Sequence, residues 1–304
     1  MNRSSVTAFS LIIAIAAAAC ASAALNPVAA PAVSALAFYD YDSHLPLEVE
    51  QTELKHTDAL TQYHLWYTSA HGQRVSALLT MPAEGAKHPV VFMQHGYGDS
   101  KQVDYVQWAT AFLVKQGYGV MSIDAQYHGE RKQPNRPQEL FNLRSAETRD
   151  AFVQTVIDLR RAVDLLQSRE DIEASRIGYL GASMGAMLGA VFCGVDKRVD
   201  AVCLIVGGGD LARLLPGKID SEVETNAKII DPVYYVGMIS PRPLLMINGR
   251  TDHTVRPANA QAMFDAAREP KRSEWYNGGH LDPPLDQVQT WVSEFLAKHL
   301  MTGR

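Results

Sequence analysis

Gly181-Ala182-Ser183-Met184-Gly185 sets a serine among small residues, after the apolar run "RIGYL" and ahead of "MGAMLGAVF". A hydroxyl placed at such a turn attacks an acyl carbon, provided that a base removes its proton. His280, in "WYNGGHLDPP", supplies an imidazole in a glycine-bearing loop. Asp252, in "LLMINGRTDHTVRP", supplies a carboxylate that can hold the imidazole tautomer and stabilise the imidazolium. The chemistry of that set is acyl transfer through a serine nucleophile. The backbone N–H of Met184, at the first turn of the following helix, is a candidate donor to the oxyanion of a tetrahedral intermediate.

Each residue also has a plainer reading. The five-residue motif alone fits a glycine turn. A lone histidine is most often a loop or surface residue, and an aspartate after a strand often caps a turn or helix. Among other strand-end histidines, His95 and His128 each precede a glycine and read as loop-shaping, and His253 adjoins the better acid. Asp210, in "GGGD", is the rival acid. Asp282 stands two residues past His280 and reads as a cap of the last helix, ahead of Pro283-Pro284. Ser183, Asp252 and His280 occur in that chain order, each on a loop after a strand, and the coincidence of three favours the chemical reading.

The elements that must carry these loops follow from hydrophobic periodicity. Residues 46 to 82 are strand-like, with "YHLWYTS" and "RVSALLTMP" around a His71-Gly72 turn. "PVVFMQ", "YGVMSID", "RIGYLG", "AVCLIVG", "RPLLMING" and "SEWYNG" read as buried strands. Helices are expected at 103–116, at "MGAMLGAVFCG", at "PANAQAMFDAAR" and at "LDQVQTWVSEFLAKHL", the last burying Val288, Trp291, Val292 and Phe295. Phe152, Val156, Leu159, Val163 and Leu166 mark one face of another. Strand alternating with helix implies an α/β fold, with a mostly parallel central sheet and helices on both faces. Two insertions, 127–147 and 207–240, follow strand ends on the side where such sheets bind ligands. The second is long enough for a few short helices.

The chain of 304 residues is 47% hydrophobic and 20% charged, enough for one large core. A net charge of -5 offers no basic surface for nucleic acid. Residues 1–24 read as a secretory signal peptide ending at Ala21-Ser22-Ala23, so an exported, periplasmic or secreted protein with no stable membrane span is expected. The alternative is a lipoprotein signal with Cys20 modified, although "AAAC" lacks the usual leucine three residues earlier. Residues 25–304 form one catalytic domain in this reading. Cys193 and Cys203 read as two buried thiols, with pairing as the alternative in an exported protein. No Cys/His spacing suggests a metal, and no cofactor is expected.

The order Ser183, Asp252, His280 and the segment "YTSAHGQRVSALLTMPAEGAKHPVVFMQHGYGDS" resemble the α/β-hydrolase superfamily, from about residue 59 to 300. The segment is similar to the lead-in shared by acetyl esterases, dienelactone-hydrolase-like proteins and prolyl-oligopeptidase catalytic domains. The resemblance implies an α/β-hydrolase fold with a small helical insertion after the sixth core strand. It also implies that the backbone N–H of Tyr97, in His95-Gly96-Tyr97-Gly98, is the second oxyanion donor. "IDAQYHGER" is similar to the superfamily loop after the fourth strand, which leaves Asp124 and Arg131 structural. The chain departs from dienelactone hydrolases proper, which use cysteine, and from haloalkane dehalogenases, which use aspartate. No propeller like that of prolyl oligopeptidases is expected in the roughly 20 residues that follow the signal peptide.

A serine esterase acting on small-molecule esters is therefore expected. Peptidase or acyltransferase action by the same residues is the alternative, as is a non-catalytic binding protein on this fold. Tyr97, Tyr127, Tyr234 and Tyr235 are candidates to line a pocket.

Overall fold

The computed structural model describes residues 31–85, 87–134, 143–214 and 219–301. The expected signal peptide and Cys20 lie outside the described residues. In chain order the elements are α1 (Val33–Leu36), β1 (Glu50–His56), β2 (Leu60–Thr68), β3 (Arg74–Pro82), β4 (His88–Gln94), α2 (Asp104–Lys115), β5 (Gly119–Ile123), α3 (Ala146–Gln167) and β6 (Ile172–Ala182). There follow α4 (Met184–Val195), β7 (Ala201–Ile205), α5 (Ser221–Ile230), α6 (Pro232–Tyr235), β8 (Leu244–Gly249), α7 (Pro257–Ala266), β9 (Lys271–Tyr276) and α8 (Leu285–Leu296).

The strands form one sheet in the order β1-β2-β3-β5-β4-β6-β7-β8-β9. The pairs among β1, β2, β3 and β5 are antiparallel, and every pair from β5 to β9 is parallel. Burial explains the parallel half: β4, β5, β7 and β8 are buried at every residue, as strands covered on both faces must be. At the antiparallel edge, β1 is exposed throughout, and its "EQTELKH" carries the charges that discourage further strand pairing.

Alternate residues of one strand feed two cores. Val90 and Phe92 of β4 pack with Phe152, Val156, Leu159 and Val163 of α3 and with the apolar side of α4. Val91 and Met93 pack with Leu113 of α2 and with Val288, Val292 and Phe295 of α8. The period of two along a strand makes this division unavoidable. Cys193 and Cys203 fall into different cores, both buried and both free. Burial raises both thiols well above their ordinary range. Pairing, the alternative, is not what the structure has. Among the described residues no helix is long and apolar enough to cross a membrane.

The β6–α4 junction is built around Tyr179. A Cβ on Gly189 would come 2.0 Å from its ring, and one on Gly181 would come 2.7 Å from it and 2.4 Å from Gly185 O. The Tyr179 hydroxyl donates to Gly185 O at 2.6 Å. Small residues on both arms thus let an aromatic ring wedge the turn at a fixed angle. The chain leaves β4 for β5 on one side and reaches β6 on the other, so the carboxyl ends of β4 and β6 flank the switch point where α/β sheets bind ligands.

Candidate active site

Ser183 is the single residue between β6 and α4, with φ 55° and ψ -117°. Its own N–H donates to Ile205 O at 2.9 Å, and its carbonyl accepts from Ala186 and Met187 as α4 begins. A positive φ at a residue with a Cβ costs roughly 1–3 kcal/mol and persists only where the surroundings over-determine it. Ser183→Gly removes that cost and is expected to raise unfolding stability by about 1 kcal/mol. A thermal melt no higher than that of the unchanged protein would contradict it.

The loop after β4 lies against this elbow. A Cβ on Gly185 would meet Gln94 O at 2.3 Å, and one on Gly96 would meet the Ser183 Cβ at 3.3 Å. Tyr97 stands next in the chain, 46% exposed, with its ring edge-on to His128 at 5.9 Å. Met184 opens α4, so its N–H has no carbonyl one helical turn behind it to accept. Both candidate oxyanion donors therefore belong to segments packed around the serine.

Asp252 and His280 arrive from the loops after β8 and β9. His280 Nδ1 donates to Asp252 Oδ2 at 2.7 Å, and Ser183 Oγ donates to His280 Nε2 at 2.9 Å. Asp252 is buried at 3% exposure. Its other oxygen accepts from Thr254 N and Val255 N, both at 2.8 Å. The carboxylate is thus oriented by backbone, with one lone-pair direction left for the imidazole. The histidine loop is held in turn by Tyr276, whose hydroxyl donates to Gly279 O at 2.6 Å, and by Thr251 N donating to Gly278 O at 3.1 Å. Gly249 must lack a side chain, since a Cβ there would lie 2.5 Å from Gly278 O.

The three distant residues form one chain of hydrogen bonds, and the rivals stand apart from it. Asp210 pairs with Arg213 at 2.7 Å. His95 and His128 are buried, and each bonds to backbone carbonyls of its own loop. Two expectations are corrected. Asp282 does not cap the last helix: that helix starts at Leu285 behind Pro284, and Asp282 Oδ1 instead accepts from Gly279 N at 2.6 Å, fastening the histidine loop. Tyr235 lines no pocket, being fully buried with its hydroxyl donating to Ile229 O. Tyr234 and Tyr127 are partly buried against the larger core.

Sequence reading missed the groups that fix the β4 loop. Tyr105 of α2 accepts from Gly96 N at 2.6 Å and donates to Asp99 Oδ2 at 2.8 Å. Lys101 Nζ bonds Asp124 Oδ2 at 2.5 Å with both side chains buried, which ties this loop to the one after β5. Asp124 also accepts from Lys101 N and Glu130 N, so the buried pair is satisfied on several sides. Arg131 pairs with Asp158. Asp124 and Arg131 are structural, as expected. A tyrosine seven residues beyond the "HGYG" turn carried no periodic signal that separated it from helix packing.

A family model for acetyl xylan esterase matches residues 36–207. Among curated relatives, the putative hydrolase YtaP of Bacillus subtilis is 27% identical over 191 residues, 54% of this chain and 60% of that protein. The uncharacterized protein YfhR of Escherichia coli K12 is 23% identical over 233 residues, 73% of this chain and 74% of that protein. Among solved structures, an acetyl xylan esterase from Paenibacillus sp. R4 superposes with a TM-score of 0.75 at 19% identity, over 88% of this chain and 92% of that one. Acetyl xylan esterase 1 from Thermoanaerobacterium sp. JW/SL YS485 gives 0.75 at 17% identity, over 89% and 94%. The family match spans Tyr97, Ser183 and Met184 and ends before Asp252 and His280, whose placement rests on the geometry above.

Proposed function

Since the chain belongs to the acetyl xylan esterase family and is an enzyme of esterase type, we propose that it hydrolyses small carboxylic esters, acetyl esters foremost, through an acyl-enzyme on Ser183. The observation that carries the reading is the unbroken relay from Ser183 Oγ through His280 to Asp252.

Ser183 Oγ forms a bond to the ester carbonyl carbon while its proton passes to His280 Nε2, and the carbonyl π pair moves onto oxygen. Asp252 Oδ2 holds the Nδ1–H, which keeps Nε2 unprotonated beforehand and stabilises the imidazolium that forms. The oxyanion takes hydrogen bonds from Met184 N–H and Tyr97 N–H, each such donor being worth about 3–4 kcal/mol in the transition state. Collapse breaks the carbon–alkoxy bond, and the imidazolium returns its proton to the leaving alcohol. Water then repeats the sequence on the acyl-enzyme, releasing the acid and restoring the serine.

Support for acetyl as the acyl group comes from the family description and from the two acetyl xylan esterases that share the fold. A fluorophosphonate probe tests the covalent step directly. It is expected to modify the protein once, on the peptide carrying Ser183, and to abolish hydrolysis of p-nitrophenyl acetate in proportion. Labelling elsewhere, or full turnover after labelling, would refute the serine mechanism.

A further inference from the structure

We propose that His95 is a positioning residue for ester hydrolysis: it holds the carbonyl of Gly96 and thereby aims the N–H of the same peptide unit, that of Tyr97, at the oxyanion. The inference rests on the serine-hydrolase reading above and adds a residue to it.

His95 Nδ1 lies 2.7 Å from Gly96 O. Its Nε2 lies 3.1 Å from Ala125 N, a backbone N–H that can only donate. Nε2 is therefore the acceptor, the hydrogen sits on Nδ1, and Nδ1–H donates to the Gly96 carbonyl. In a trans peptide C=O and N–H point in opposite directions. Fixing the Gly96 carbonyl towards the buried imidazole directs the Tyr97 N–H the other way, away from that ring. The preceding peptide is held as well, because Gly96 N–H donates to the Tyr105 hydroxyl. Both peptide units around Gly96 are thus clamped from outside.

The clamp is needed because Gly96 cannot stiffen itself. A Cβ there would lie 3.3 Å from both the Ser183 Cβ and the Tyr105 hydroxyl and 3.4 Å from Asp99 Oδ2, so glycine suits the close approach and brings with it the freest backbone. The imidazole is fully buried, and both its nitrogens are occupied by backbone, which leaves it no part as a base or ligand. Protonation would turn Nε2 into a donor facing the Ala125 N–H. The surroundings oppose that: burial and the neighbouring His128 outweigh the Gly96 carbonyl, Asp124 and Asp99, and lower His95 to about 4. Lys101, paired with Asp124, offsets that carboxylate. The ring stays a neutral, single-tautomer spacer throughout the working range.

Two amide replacements separate aiming from packing. In His95→Asn the side-chain NH2 reaches the Nδ1 place and can still donate to Gly96 O. In His95→Gln the amide reaches the Nε2 place and serves Ala125 alone. The expected result on p-nitrophenyl acetate is a 10- to 100-fold lower kcat for His95→Gln with KM within about threefold, as for partial loss of one oxyanion donor, and recovery to within about fivefold in His95→Asn. Affinity for phenylboronic acid, which becomes tetrahedral on the serine, should fall in step with kcat/KM. Equal kcat in the two variants, an unaltered kcat in a folded His95→Gln protein, or boronate affinity that does not track kcat/KM would overturn the proposal. If His95→Gln does not fold, Tyr105→Phe releases the other side of Gly96. It should lower kcat and boronate affinity together by about 3- to 10-fold, and no change would again overturn it. Failure of the parent reading looks different: Ser183→Ala would then keep its activity whatever stands at position 95.

Discussion

Ser183→Ala is expected to lower kcat for p-nitrophenyl acetate by on the order of 10⁵- to 10⁶-fold, with KM little altered and the fold intact. The size follows from what is lost. The bond to carbon can no longer form, and direct attack by water has only the oxyanion donors and binding to assist it, a residue worth about 10³- to 10⁴-fold over solution. Alanine accepts the turn as well as serine does, since the backbone of the elbow is fixed by Ser183 N–H to Ile205 O and by the Tyr179 wedge, not by the hydroxyl. The double variant with His280→Ala should be no slower than Ser183→Ala alone, because nucleophile and base act as one unit. Steady-state kinetics and a thermal melt measured on the same preparation check both statements. Turnover within about 100-fold of the unchanged enzyme would end the case for a serine nucleophile.

Asp252→Asn should cost about 10⁴-fold in kcat near neutral pH, through the tautomer and not the fold. Thr254 N–H and Val255 N–H both point at Oδ1, so the single oxygen of an asparagine amide must stay there. The NH2 group then faces His280 Nδ1 where a carboxylate oxygen had accepted. Two donors cannot share a hydrogen bond, so the imidazole moves its hydrogen to Nε2. Nε2 is the atom that must take the serine proton, and it now has no lone pair to do so. Melting should shift little, because the backbone bonds of the turn survive. Asp210→Asn serves as the control, since Asp210 touches Arg213 and no member of the relay. Retention of kcat to within tenfold in Asp252→Asn, or an equal loss in Asp210→Asn, would shift the acid elsewhere.

The order of elements was open to reading because each core strand is a short apolar run and each helix repeats its apolar residues at steps of three and four. Phe152, Val156, Leu159, Val163 and Leu166 of α3 are all buried where that spacing put them. Ser183 was legible for the same local reason: only small residues tolerate the approach of α4 to β6, and those residues are neighbours in the chain. His280 and Asp252 were legible by position, each following a strand of a sheet whose loops share one rim.

What the chain alone did not decide concerns contacts between loops far apart in sequence. Asp282 reads as a helix cap, yet Pro284 is the residue that precedes α8, so its carboxylate is out of reach of the helix and turns back to Gly279 N–H. Tyr235 reads as a candidate pocket residue, yet the N-terminal segment brings Tyr39 edge-on against it at 5.6 Å and closes it off. His95 and Tyr105 acquire their part only once β4, α2 and the loop after β5 meet around Gly96. Apolar periodicity and short-range sterics are written along the backbone, and they settled the strands, the helices and the serine elbow. Which donor meets which acceptor across loops depends on sheet order and on angles summed over many residues, and those exist only in the folded chain.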